Sequence, residues 1–135
     1  MDSLQKYENE VLDASYLARL YNPEFKQVDG LYFLSAHIDD DTLSRWLENP
    51  KYIQAPQKLE NTINHVHLDE LIEDEKKQHE IGEVLKQRWF EVLALEFPKQ
   101  KFEIKVIQLK DGGWELQMWA KRDDNKKRPP QQNAG

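Results

Sequence analysis

The chain has 135 residues, 39% apolar and 33% charged, with a net charge of -6 and no cysteine. That length accommodates one domain with a real core, and the absence of cysteine excludes disulfides, thiol catalysis and cysteine metal sites. The acidic balance argues against general nucleic-acid binding, which needs Lys and Arg on phosphates, and no apolar run approaches the roughly 18 residues of a bilayer span.

Residues 2–21 read as one helix. Leu4, Tyr7, Val11, Ala14 and Ala18 mark one stripe, and Leu12, Tyr16, Leu17 and Leu20 add a second. Asn22-Pro23 closes it, because the residue before proline is pushed out of the helical region. Val28-Asp29-Gly30 has turn chemistry, and Leu31 to Ile38 follows as a strand. Among Asp39, Asp40 and Asp41, one acid is expected to cap a short helix from Thr42 to Leu47, stopped by Asn49-Pro50. Lys51 to Lys58 reads as irregular. Leu59 to Leu71 fits two patterns: Leu59, Ile63 and Val66 suit a helix, whereas the alternation around His65 and His67 suits a strand. The strand over 61–68 is the preferred reading, joining a sheet made by residues 31–38 and a C-terminal hairpin.

The strongest pattern lies between Glu73 and Ala120. Ile81, Leu85, Trp89, Val92, Leu93 and Phe97 recur at three- and four-residue intervals, which predicts an amphipathic helix over about 73–97, ended by Pro98. Gly82 inside that pattern points to a close approach by another element. Phe90 and Leu95 lie off the stripe and suggest burial on a second side. Two strands follow, Lys101 to Leu109 and Trp114 to Ala120, joined through Asp111-Gly112-Gly113. A two-residue turn would put Ile107, Leu109, Trp114, Leu116 and Met118 on one face, and Phe102, Ile104, Val106 and Trp119 on the other. A three-residue turn would swap the faces. Residues 123–135 are polar and basic and read as a disordered tail, leaving 1–122 as a single α+β domain. Its expected form is a mainly antiparallel sheet, the long helix across one face and the hairpin at the C-terminal end.

Four constellations could carry function. His65 and His67 on a strand would point the same way and could chelate a divalent metal, with His37 and Asp39 completing the set. The same histidines beside Asp39, Asp40 or Asp41 could do acid–base work, although the aspartates serve equally as helix caps. Trp46, Trp89 and Trp114 could line a pocket for a small apolar ligand, although buried rings are ordinary core. Phe102, Ile104 and Trp119, if they share an outward face, would form an interface for a protein partner or a homodimer. There is no phosphate loop, nucleophile elbow or H-E-x-x-H motif. The leading expectation is therefore a cytoplasmic, non-catalytic protein-interaction module that self-associates and needs no cofactor. A metal-binding or hydrolytic protein using His65 and His67 and an apolar-ligand carrier are the alternatives.

Overall fold

The computed structural model describes residues 2–49 and 54–122, with side chains from Leu4 onward. Pro50, the first residues of the 51–58 segment and the tail 123–135, with its basic cluster Lys126-Lys127-Arg128, lie outside the described residues. The fold is mixed helix and sheet, every strand pairing described is antiparallel, and the long helix and C-terminal hairpin are both present.

The expected N-terminal helix is two pieces. A 3-10 segment covers Asp2–Tyr7, and helix α1 covers Ala14–Tyr21. Asp13 causes the restart: its carboxylate accepts the N–H of Tyr16 and caps α1, while the Leu12 N–H is drawn off to the Leu71 carbonyl at 2.8 Å. Strand β1, Phe25–Val28, was not legible in advance and pairs with β2, Leu31–Leu34. Their turn is left-handed at Asp29 and Gly30, with φ of 54° and 79°, which suits a two-residue hairpin. Residues 35–37 leave the extended conformation for a 3-10 turn, so the strand is shorter than the pattern implied. Helix α2, Asp40–Leu47, is capped by Asp39, as expected of that acidic run.

The preferred strand over 61–68 is corrected. Residues Pro56–Asn64 form helix α3, with proline in its first turn, where the missing N–H costs nothing. Only Val66–His67 is strand, β3. A second correction concerns the sheets. β1 and β2 make one two-stranded sheet, and β3, β5 and β4 make another in that order. Helix α3 sits between them, and its side chains replace the missing ladder. Glu60 accepts the Tyr32 N–H of β2 at 2.9 Å and the Ala120 N–H of β5 at 3.0 Å. One turn on, Asn64 accepts the Leu34 N–H at 2.8 Å and donates to the Tyr32 carbonyl at 3.0 Å, with Met118 on its other side.

Helix α4, Glu75–Glu96, begins at the Asp74 cap and buries Ile81, Leu85, Trp89 and Leu93. It lies on the face of the hairpin formed by β4, Phe102–Gln108, and β5, Trp114–Ala120, in one core with Phe102, Ile104, Leu116, Met118 and Ala120. Each such fully buried side chain contributes about 1.5–3 kcal/mol relative to exposure. Gly82 is where the two meet: a Cβ there would stand 2.8 Å from Leu68 and 2.9 Å from Val106. Burial on a second side of α4 does not hold, because Phe90 is 37% and Leu95 84% exposed.

The hairpin takes the three-residue turn. Leu109 N–H meets the Gly113 carbonyl at 2.7 Å, Gly112 has a φ of 101°, and Val106 pairs with Leu116. Phe102, Ile104 and Val106 therefore share the core face with Leu116 and Met118. Glu115, Gln117 and Trp119 line the outer face with Glu103, Lys105 and Ile107. Among the described residues, no helix is long and apolar enough to cross a membrane.

Candidate metal centre

Helix α3 ends on His65, and the chain turns extended there, with φ -69° and ψ 149°. Two residues later His67 pairs with Glu115 of β5. This junction brings both imidazoles and one carboxylate together on the outer face of the sheet. The three side chains each offer a ligand atom, and those atoms lie within 4.8 Å of one another.

Hydrogen bonding assigns the ring atoms. Nδ1 of His65 lies 3.1 Å from the Asn61 carbonyl oxygen. A carbonyl only accepts, so Nδ1 carries the hydrogen and Nε2 presents its lone pair. Nε2 of His67 lies 3.2 Å from that atom, where its N–H donates to the His65 lone pair in a hydrogen bond that a cation would replace, and the rings stand nearly perpendicular at 89°. Two nitrogens on a tetrahedral zinc, each about 2.0–2.1 Å from it, are separated by about 3.3 Å. The gap between these two nitrogens therefore already has the span of a tetrahedral edge.

The other ring nitrogen of His67 faces Glu115, Nδ1 to Oε1 at 3.6 Å. The Glu115 side chain is only 12% exposed, and its second oxygen accepts from the Gln117 amide at 2.8 Å. A carboxylate behind a histidine fixes the ring and raises its basicity toward a cation. At 3.6 Å Glu115 faces the ring without a hydrogen bond, and its carboxylate supplies the third ligand atom of the cluster.

His37 and Asp39 do not join this group. His37 Nδ1 donates to the Ile63 carbonyl at 2.7 Å, so its Nε2 accepts from the Tyr16 hydroxyl at 2.5 Å. Both of its nitrogens are thereby occupied. Burial pushes the His37 imidazole below its ordinary value, and burial likewise pushes the Tyr16 hydroxyl up to about 12. Asp39 is exposed and holds the Thr42 N–H at 2.7 Å. The acid–base pairing of these histidines with Asp39, Asp40 or Asp41 is not formed, since Asp39 is a cap and Asp40 reaches Lys26.

The three tryptophans of the expected apolar pocket occupy different surroundings. Trp89 is fully buried, its N–H donates to the Leu20 carbonyl at 2.9 Å, and its ring meets Phe25 edge-on. Trp46 packs on a second core of Leu31, Phe33, Ile38, Leu43, Leu59 and Ile63. Trp114 lies at the rim of the main core, 4.4 Å from the His79 ring. The expected interface is also split: Phe102 and Ile104 are buried on the core face, and Trp119 is half-buried on the outer one under the Lys105 ammonium.

Sequence reasoning found His65 and His67 but missed Glu115. Its one available signal was the placement of an acid between Trp114 and Leu116 in a strand with one other polar residue, Gln117. Comparison with known proteins produced no match, whether to a family model, to a curated protein or to a solved structure.

Proposed function

We propose that this protein binds a divalent transition-metal ion through Nε2 of His65 and Nε2 of His67, with Glu115 as orienting carboxylate or third ligand. The observation that carries the reading is the 3.2 Å approach of two nitrogens, one of which must present a lone pair. Imidazole donors favour zinc, copper or nickel over calcium or magnesium, which take oxygen. Two or three protein donors leave at least one coordination position for another ligand. The cytoplasm is the expected compartment for a cysteine-free acidic chain of this kind.

Calorimetric titration of the metal-stripped full chain with zinc tests the proposal. One zinc per chain is expected, with no comparable uptake of calcium. His65→Ala and His67→Ala should each abolish stoichiometric binding, and Glu115→Gln should weaken it about tenfold to a hundredfold. Zinc uptake unchanged in the double histidine variant would overturn it.

Self-association stands as a second reading, moved from the hairpin to the end of α4. Leu95 is 84% exposed there, and Phe90 and Ala94 border a surface groove of about 400 Å³ shared with Phe102 and Lys121. Leu95 lies outside that groove, and a second chain at this helix end would cover both apolar exposures. Sedimentation should then show a mass that rises with concentration and falls back to monomer in Leu95→Lys; a monomer at all concentrations rejects it.

A further inference from the structure

Hydrogen positions at the histidine pair leave one contact mismatched. Nδ1 of His65 donates to the Asn61 carbonyl, so its Nε2 accepts, and the hydrogen between the two rings belongs to Nε2 of His67. A neutral imidazole carries a single N–H, so Nδ1 of His67 is left as a bare lone pair. The group that approaches this nitrogen is the Glu115 carboxylate, which also only accepts. Acceptor stands against acceptor, and the 3.6 Å between Nδ1 and Oε1 is accordingly longer than a hydrogen bond.

Three features keep Glu115 there all the same. His67 and Glu115 are Cα partners in the β3–β5 register, so strand pairing sets their side chains next to one another. The second carboxylate oxygen, Oε2, accepts from the Gln117 amide at 2.8 Å, which leaves Oε1 for the ring. The Glu115 side chain is largely buried, so little water reaches it to ease the contact. A carboxylate held in this way against a nitrogen without a hydrogen suits another state of the ring, in which that nitrogen donates.

A cation supplies that state. Placed between the two Nε2 atoms, it takes a lone pair from each and displaces the hydrogen that joined them. His67 gives up its Nε2 hydrogen to water and takes one from water at Nδ1. The ring is neutral before and after, and the number of bound protons does not change. The new Nδ1–H meets Oε1, and the mismatch becomes a charge-assisted hydrogen bond of about 2.7–2.9 Å. Resting on the metal-binding reading above, we infer that cation binding exchanges the tautomer of His67, and that Glu115, set by Gln117, is the positioning residue that favours the exchange. Glu115 acts through His67 rather than on the cation, and Gln117 acts through Glu115. The carboxylate disfavours the metal-free tautomer and stabilises the bound one, so both effects raise affinity.

Long-range proton–nitrogen NMR of the full chain at about pH 8, above the ordinary imidazole range, reads the tautomer of each ring. Without metal, His67 should carry its hydrogen on Nε2. With one equivalent of zinc it should carry it on Nδ1, with the proton resonance moved downfield by the carboxylate. Glu115→Gln should return that resonance upfield and weaken zinc about tenfold to a hundredfold, with both Nε2 atoms still on the metal. Gln117→Leu leaves the histidines and Glu115 in place; it should weaken zinc less and move the same resonance part of the way. A hydrogen already on Nδ1 of His67 without zinc, or a bound Nδ1–H indifferent to both variants, overturns the exchange and leaves the metal reading standing. Zinc held by Nδ1 of His67 beside Glu115 overturns it too, and makes the carboxylate a ligand. Absence of zinc binding rejects the metal reading and the exchange with it.

Discussion

Replacing Glu60 with leucine should cost more than any surface change in this chain. Glu60 is fully buried on α3 and makes four contacts. It accepts the N–H of Tyr32 and of Ala120, and it receives Arg122 at 2.8 and 2.7 Å, one guanidinium nitrogen on each oxygen. Leucine fills similar volume, so no large cavity opens. It leaves two backbone N–H groups without an acceptor and strips the largely buried guanidinium of its charged partner, leaving it only the Ala120 and Gly30 carbonyls at 3.2 Å. Removing one partner of a buried pair costs about 3–5 kcal/mol, and each orphaned N–H about 1–3 kcal/mol, with overlap between the two figures. We expect a loss of about 4 kcal/mol, a large share of the roughly 5–15 kcal/mol that a domain has in total. Arg122→Met should cost less, because Glu60 keeps its two backbone donors. Combining the two should cost much less than their sum, since both remove one shared interaction. Urea unfolding followed by tryptophan emission measures all three variants. A Glu60→Leu loss below about 1 kcal/mol would refute the view that this side chain bridges the two sheets.

Other consequences follow from single positions. Gly82→Ala should lower stability by about 1–2 kcal/mol despite alanine's better helix propensity, because the added methyl meets Leu68 and Val106 below 3.0 Å; a stabilised variant in the same urea assay would show that the contact yields. His37 should make stability depend on pH. Its folded value is depressed from 6.5 by burial, in a setting that also contains His65, Glu70, Arg19 and Tyr16. The unfolded chain therefore takes up the proton first, and stability falls as pH drops through 6.5, levelling off below the folded value. Comparing urea midpoints at about pH 7.5 and about pH 5.5, His37→Gln should lose this part of the slope, and an unaltered slope would contradict it.

What was legible in the sequence tracks how local the cause is. The α4 stripe, the hairpin and the Asp39 cap rest on neighbours within a few residues, and each is present. The break at Asp13 was not legible, because the Leu12 N–H finds its acceptor at Leu71, far along the chain. The 61–68 stretch misled for a related reason. Glu60 and Asn64 look like the polar side of a helix or strand, yet they are fully buried, and their partners lie in β2 and β5. The proposed metal centre shows the same divide. His65 and His67 could be paired by spacing, though the turn after α3, rather than a continuous strand, brings them together. Glu115 enters only through the β3–β5 register, and the hairpin faces depended on whether two or three residues made the turn.

Long-range proton–nitrogen NMR of the histidine rings tests the central claim most directly, because it reports which nitrogen holds the cation. On adding one equivalent of zinc, Nε2 of His65 and of His67 should shift together, Nδ1 of His65 should keep its hydrogen, and His37 and His79 should stay in place. Binding through Nδ1 of His65, or equal movement of all the rings, would contradict the account.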